Sequence, residues 1–368
     1  MARPVILNNK RPFYPFRRTA SNAIPVNSIP EAQRHLKSFL EREPCNSDLL
    51  LRLSDSIFKS GPVTQILKSA ASRKWKHSYD AEHGILKVFA MARPIHDAIL
   101  PLLARFSAKV PSLTGKEDCT TLWTSEQEMF KTSAEGDMKI WSKYPDGLLM
   151  FSENLDADMI PRVAVEVGFA ESYADLINDM HQWLQMAQPP AKIAIIIKIE
   201  EDTRTLRNNR RSEISQTNRQ RLLLEYGDEE ALNKHDVELE GQPRGLVSPG
   251  FISALKSDIA VADWVGPLSV FLEVWEMGEN EPMLREPRIP ILPIPEQPRN
   301  PMIRATDLIP EDYRAQFKDL GDSRAGELNM DDYRSLLQAA TRRLAFRRAL
   351  AAIRPMGRKE NDPGYVPE

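Results

Sequence analysis

RVAVEVGFAESYADLINDMHQWLQMAQPPAKIAIIIKI, residues 162–199, is the stretch on which the fold turns. Its first part alternates, with Val163, Val165 and Val167 on one side of an extended chain and Ala164, Glu166 and Gly168 on the other. A helical stretch follows from Ser172 to Met186 and stops at Pro189-Pro190. Lys192 to Ile199 is then almost continuously apolar, the pattern of a strand covered on both faces. Strand, helix and strand within about forty residues form a βαβ unit, whose two strands run parallel.

One residue of that unit carries chemistry. Glu166 sits in the middle of an apolar strand, where an ionised carboxylate is costly unless a cation pairs with it. About twenty residues upstream, Asp146 lies in the turn Lys143-Tyr144-Pro145-Asp146-Gly147, which leads into a strand from Leu148 to Phe151. Two carboxylates on adjacent strands suit a hard divalent cation such as Mg²⁺. Such an ion would activate water and neutralise charge on a scissile phosphate. The plainer alternative is that Asp146 shapes its turn and Glu166 pairs with an arginine, since structural carboxylates far outnumber catalytic ones.

Working outward, Tyr79 to Met91 reads as a hairpin turning at Glu82-His83-Gly84, with a strand from Ile85 to Met91. Arg93-Pro94-Ile95-His96-Asp97 then opens a helix with Ala98, Ile99, Leu102 and Leu103 on its apolar stripe. Further strands are expected around Thr121–Thr124 and Met138–Trp141. Residues 1–30 read as a flexible arm and 31–75 as a helical segment. In that segment Ala32, Leu36, Phe39 and Leu40 mark one helix, and Asn46 or Ser47 caps a second carrying Leu50, Leu53 and Ile57. Residues 201–265 form a charged insertion, an exposed helix or a disordered segment, with Arg204, Arg207, Arg210, Arg211, Arg219 and Arg221. Residues 266–310 add strands, Leu268–Met277 and the proline-broken Ile289–Ile294. Residues 311–368 hold a basic helix, capped by Asn329 and running from Met330 to about Ile353, and a tail.

Taken together, YDAEHGILKVFAMARPIHDAILPLL, KYPDG and PRVAVEVGFAESYADLINDMHQWL resemble the PD-(D/E)XK nuclease superfamily. They are most similar to a family seen mostly in filamentous fungi, with I-H-D, P-D and E-V-G-[FY] motifs, and to the restriction-endonuclease-like proteins of bacteria. The resemblance covers residues 76–200 and implies an α/β fold (an α+β mixed sheet) with an α-β-β-β-α-β core. It implies a metal-dependent nuclease acting on phosphodiester bonds, with Mg²⁺ or Mn²⁺ held by Asp146 and Glu166. The superfamily's lysine should stand two residues after the acid, where this chain has Gly168. Lys198, on the following strand, is the candidate to replace it as charge stabiliser, and Lys192 is a weaker one. His96 is a candidate catalytic or substrate contact, with local helix capping as the alternative. The rival expectation is a catalytically silent nuclease fold serving as an interaction or nucleic-acid-binding module. Glu171, Asp175 and Asp179 read as a solvated helix stripe.

Bulk properties set the outer limits. Hydrophobic content of 42% and charged content of 27% over 368 residues are ordinary globular values. The net charge of −3 provides no global field for a polyanion, so DNA or RNA would have to use local basic patches. Two cysteines, Cys45 and Cys119, make neither a disulfide framework nor a metal pair, and no leader or membrane-spanning run is evident, so an intracellular protein is expected. GxxxxGK[ST], GxGxxG, HExxH and GxSxG are all missing, which removes the nucleotide-binding, zincin and serine-hydrolase classes.

Overall fold

A computed structural model describes residues 23–40, 49–71, 75–80, 84–90, 94–109, 120–124, 129–132, 139–153, 158–169, 171–227, 249–316 and 325–353. The expected arm as far as residue 22, both cysteines, the Asn46 or Ser47 cap, Glu82-His83, residues 228–248 and the tail after 353 lie outside the described residues.

The first half of the chain runs β1 (Ile24–Pro25), α1 (Ile29–Leu40), β2 (Leu49–Arg52), α2 (Gly61–Ala71), β3 (Trp75–Asp80) and β4 (Ile85–Ala90). Next come α3 (Leu100–Ser107), β5 (Thr120–Thr124), β6 (Met129–Thr132), β7 (Lys139–Lys143) and β8 (Gly147–Ser152). The βαβ unit is β9 (Ile160–Gly168), α4 (Tyr173–His181) and β10 (Ile193–Glu201). After it stand α5 (Thr203–Arg211), α6 (Glu213–Tyr226), α7 (Pro249–Asp258), β11 (Leu268–Met277), β12 (Pro282–Leu284) and β13 (Ile289–Leu292). A short β14 (Met302–Arg304) and β15 (Ala325–Glu327) precede the long α8 (Met330–Ile353).

Two large sheets hold all of these strands but β14 and β15, which pair antiparallel with each other as a separate two-stranded sheet. The central sheet has seven, in the order β12-β11-β10-β9-β8-β5, with β13 also on β11. Within it β9 and β10 are parallel neighbours, Ile193 opposite Val163 and Lys198 opposite Gly168, as a single-helix connection requires. The other pairs are antiparallel. One face, with Val163, Val165, Val167, Ile193, Ile195 and Ile197, is covered by α3, α6 and α8. The other, with Ala164, Ala194 and Ile196, is covered by α4 through Leu176 and Met180 and by Trp183 of the π-helical turn Gln182–Met186 that continues α4. Burying one such Ile or Leu contributes about 1.5–3 kcal/mol, which explains why this unit is the most apolar part of the chain.

The second sheet, β1-β2-β4-β3-β7-β6, departs from expectation. The 79–91 hairpin belongs to it and not to the central sheet. Leu50 and Leu53 do not lie on a helix, because β2 pairs with β4 over Leu49–Arg52, and Ser54 caps only the short turn Asp55–Phe58. Leu49 and Leu51 are buried and Arg52 is exposed, so the period there is two. Of the two alternatives for the charged insertion, the described residues show the helical one: 203–226 forms two largely exposed helices, anchored by buried Leu206, Leu222 and Tyr226. Asn329 Oδ1 accepts from the Asp331 and Asp332 amides and so caps α8, as the sequence indicates. Among the described residues, no helix is long and apolar enough to cross a membrane.

Gly84 turns the β3–β4 hairpin with φ +63°, and a Cβ there would lie 2.8 Å from the Leu53 carbonyl oxygen. Gly84→Ala should therefore destabilise the fold by about 2 kcal/mol, from the left-handed backbone and from the clash. Urea unfolding of the variant beside the parent measures it.

Candidate functional site

The chain crosses from the second sheet to the central one through Lys143-Tyr144-Pro145-Asp146-Gly147, leaving β7 at Lys143 and entering β8 at Gly147. Gly147 pairs with Val165, so Asp146 falls beside Glu166. The sheet register also puts Lys198 on Glu166's side, opposite Gly168. Asp146 and Glu166 are both buried, 8% and 4% exposed.

Each carboxylate has partners. Asp146 Oδ2 accepts the Val167 amide at 2.8 Å and stands 2.9 Å from His96 Nε2. His96, just ahead of α3, thus acts on Asp146 and is not simply a helix cap; its Nδ1 is 3.5 Å from Asp97. Glu166 Oε1 accepts Trp183 Nε1–H at 2.7 Å and lies 3.4 Å from the Lys143 ammonium. That ammonium also pairs with Asp179 of α4 and sits 5.4 Å from the centre of the Trp183 ring.

The lysine at Glu166 is therefore Lys143, which precedes Asp146 in the same turn. Lys198 points elsewhere, donating to the Glu171 carbonyl oxygen at 2.8 Å with Glu200 3.8 Å away. Lys192 is exposed at the start of β10, beyond the far side of Glu166 from Lys198. Glu171, at the edge of the cluster, pairs with Lys87 of β4 at 3.3 Å. Asp179 is no solvated stripe residue: it is 7% exposed. The signal for it was available, because Asp179 lies three residues after Leu176 and four before Trp183, within the apolar arc of α4. Lys143 left no such signal, since its partners lie far along the chain, Glu166 on the central sheet and Asp179 on α4.

Gly168 has its own explanation. A Cβ at Gly168 would meet Leu176 Cδ1 at 2.6 Å and Cγ at 3.0 Å, so α4 fills the space a lysine there would need. Leu176 is fully buried against the sheet and cannot swing aside.

One ammonium faces two buried carboxyls, and the electrostatics follow. Burial alone would lower Lys143, but Asp179, then Glu166 and Glu171, outweigh it and hold the amine above its ordinary value. Burial pushes Glu166 well above the usual carboxylate range against the pull of Lys143, and Asp146, Asp179 and Glu171 push it further. Burial likewise pushes Asp179 up to about 6, against Lys143. Nearby on the same face Glu273 is closed off, taking Tyr173 Oη at 2.9 Å, Trp275 Nε1 at 3.1 Å and Arg288 Nε at 2.8 Å.

A hard dication needs ionised oxygens and room for its waters. Here Glu166 is driven toward its protonated form, both carboxyls are buried, and an ammonium already stands among them. Among the described residues, no group of three His, Cys, Asp or Glu side chains is arranged to hold a metal ion. The residues present do not fit Mg²⁺ or Mn²⁺. No protein-family model, curated protein or solved structure matches the chain.

Three substitutions test this geometry. Gly168→Ala should cost about 1–3 kcal/mol through overpacking against Leu176. Asp179→Asn removes the closer partner of a buried ammonium and should cost about 3 kcal/mol or more. Glu166→Gln should be milder, because glutamine mimics the protonated acid and still accepts from Trp183. The raised carboxyls stabilise the fold fully only below the ordinary carboxylate range, and that contribution is lost as pH rises, through about 6 for Asp179 and above the usual glutamate value for Glu166. Glu166→Gln should therefore gain on the parent as pH is raised from about 5 to about 8, read by urea unfolding at stepped pH. Parallel curves would mean that Glu166 stays ionised throughout.

Proposed function

We propose that the chain is built on a PD-(D/E)XK-type core in which an internal ammonium holds the place of a catalytic cation, and that it serves as a binding module and not as a hydrolase. Support for the core comes from the order of elements. With β6 and β7 set aside in the other sheet, α3, β5, β8, β9, α4 and β10 repeat the α-β-β-β-α-β order. Asp146 stands just before the second of those strands and Glu166 within the third. Support for the silent site is the single observation of Lys143, set between Glu166 and Asp179 and covered by Trp183. Fold alone does not decide activity, so the proposal stands on that contact.

Phosphodiester hydrolysis has one observation in its favour, the convergence of Asp146, Glu166 and a lysine ammonium with His96 on Asp146. One experiment separates the two. Melting the parent with and without Mn²⁺ should show no metal-dependent shift, and a plasmid-nicking assay in Mg²⁺ and Mn²⁺ should show no cleavage. Lys143→Ala should melt lower than the parent without metal, because Glu166 and Asp179 then face each other uncompensated, and should recover part of the loss with Mn²⁺. Metal-dependent stabilisation or nicking by the parent, abolished in Glu166→Gln, would overturn the proposal in favour of hydrolysis.

A further inference from the structure

Away from the carboxylate cluster, positive charge is gathered on two helices. The α5 sequence, TRTLRNNRR, has four arginines and no acidic residue, and Ala340–Ile353 of α8 has four more and again no acid. In a chain of net charge −3 this is a strong local segregation. Two of the eight are engaged beyond their own helix, while Arg207 Nε donates to the Thr203 carbonyl oxygen at 3.3 Å within α5. Arg210 lies over the Trp264 ring and donates to the Asp263 carbonyl oxygen. Arg348 grips both oxygens of Glu201 at 2.6 and 2.8 Å. Glu201 is followed at once by Asp202, the N-cap of α5, so this grip ties the two arginine-bearing helices together at the end of β10.

The other six, Arg204, Arg207, Arg211, Arg342, Arg343 and Arg347, are exposed. On α5 the side opposite buried Leu206 carries Arg204, Arg207 and Arg211, spaced i, i+3 and i+7, within an arc of roughly 60°. Like charges so placed repel one another and weaken the helix, and a bound anion reverses that cost. The cations are arginines, whose planar forks match phosphate oxygens two at a time. From Arg204 to Arg211 the helix rises about 10 Å, which spans about three phosphates along one strand of a duplex. A lipid surface would also want an apolar stripe. The exposed apolar residues of neighbouring α6, Ile214, Leu223 and Leu224, fall on different sides of their helix and make no such stripe.

We infer that the exposed arginine stripe of α5, extended by the exposed arginines of α8, docks the sugar-phosphate backbone of a nucleic acid without reading its sequence. The inference rests on taking the chain as a binding module, and it uses a surface separate from the Lys143 cluster. The test is fluorescence anisotropy with the full chain in EDTA. Probes are a labelled twenty-base-pair duplex of DNA and a single-stranded RNA of equal length, followed through a salt series. Affinity should fall steeply with salt. The variant carrying Arg204→Gln, Arg207→Gln and Arg211→Gln should bind at least tenfold more weakly and lose about three units of salt slope, one per phosphate contact. Its melting temperature should equal or slightly exceed the parent's, since these side chains are exposed and their mutual repulsion is removed, and Glu166→Gln should bind as the parent does. Equal affinity and slope in parent and triple variant would overturn the inference, as would a parent that binds neither probe. Loss of binding in Glu166→Gln with retention in the triple variant would place the nucleic acid at the cluster instead. Flotation with phosphatidylserine vesicles, lost in the triple variant while neither probe binds, would assign the stripe to lipid and overturn it too. Metal-dependent nicking is a separate failure, that of the silent-site proposal, and leaves this EDTA result standing.

Discussion

A single ammonium, that of Lys143, makes the Glu166 face of the central sheet possible. Without it that face would bury Glu166 and Asp179 with no cation between them, and desolvating two like charges costs several kcal/mol each. With it, three pieces of chain are held together by one charge: the end of β7, the middle of β9 and the face of α4. Trp183 completes the arrangement by donating to Glu166 and covering the amine, so α4 contributes a polar contact as well as packing. The contact is strongly determined because Glu166, Asp179 and Trp183, which surround the amine, are all buried.

The glycine at position 168 and the placement of α4 are two sides of one arrangement. Leu176 occupies the volume beside Gly168, which lets α4 lie close enough on the sheet for Asp179 and Trp183 to reach the cluster. A side chain at position 168 would lift the helix and pull Asp179 away from Lys143. The glycine is thus tied to the internal cation through packing.

What could be read in the sequence follows the range of the interactions. The β9–α4–β10 unit was legible because its period and its proline stop are local, and α8 because Asn329 caps it two residues away. Asp146 and Glu166 were legible as a pair because a carboxylate in an apolar run calls for a reason. Leu50 and Leu53 misled because with Ile57, which does lie in the short helical turn Asp55–Phe58, their spacing suits a helix, while the partner that makes Leu49–Arg52 a strand lies some thirty-five residues on, in β4. Lys143 was invisible for the same kind of reason: a lysine in a turn looks solvated until the second sheet brings it over the first. For 203–226 charge left helix and disorder both open, since only Leu206, Leu222 and Tyr226 mark the buried side.

The five-residue turn from Lys143 to Gly147 joins two sheets that otherwise pair only within themselves. It carries the amine at its first residue and the Asp146 carboxylate three residues later, both beside Glu166. A chain beginning at Gly147 would keep all the strands of the βαβ unit and its helix, and would still close α4 over Glu166 and Asp179 with no positive charge beneath it. The earlier sheet is, in electrostatic terms, the counter-ion of the later one, delivered covalently and at fixed stoichiometry.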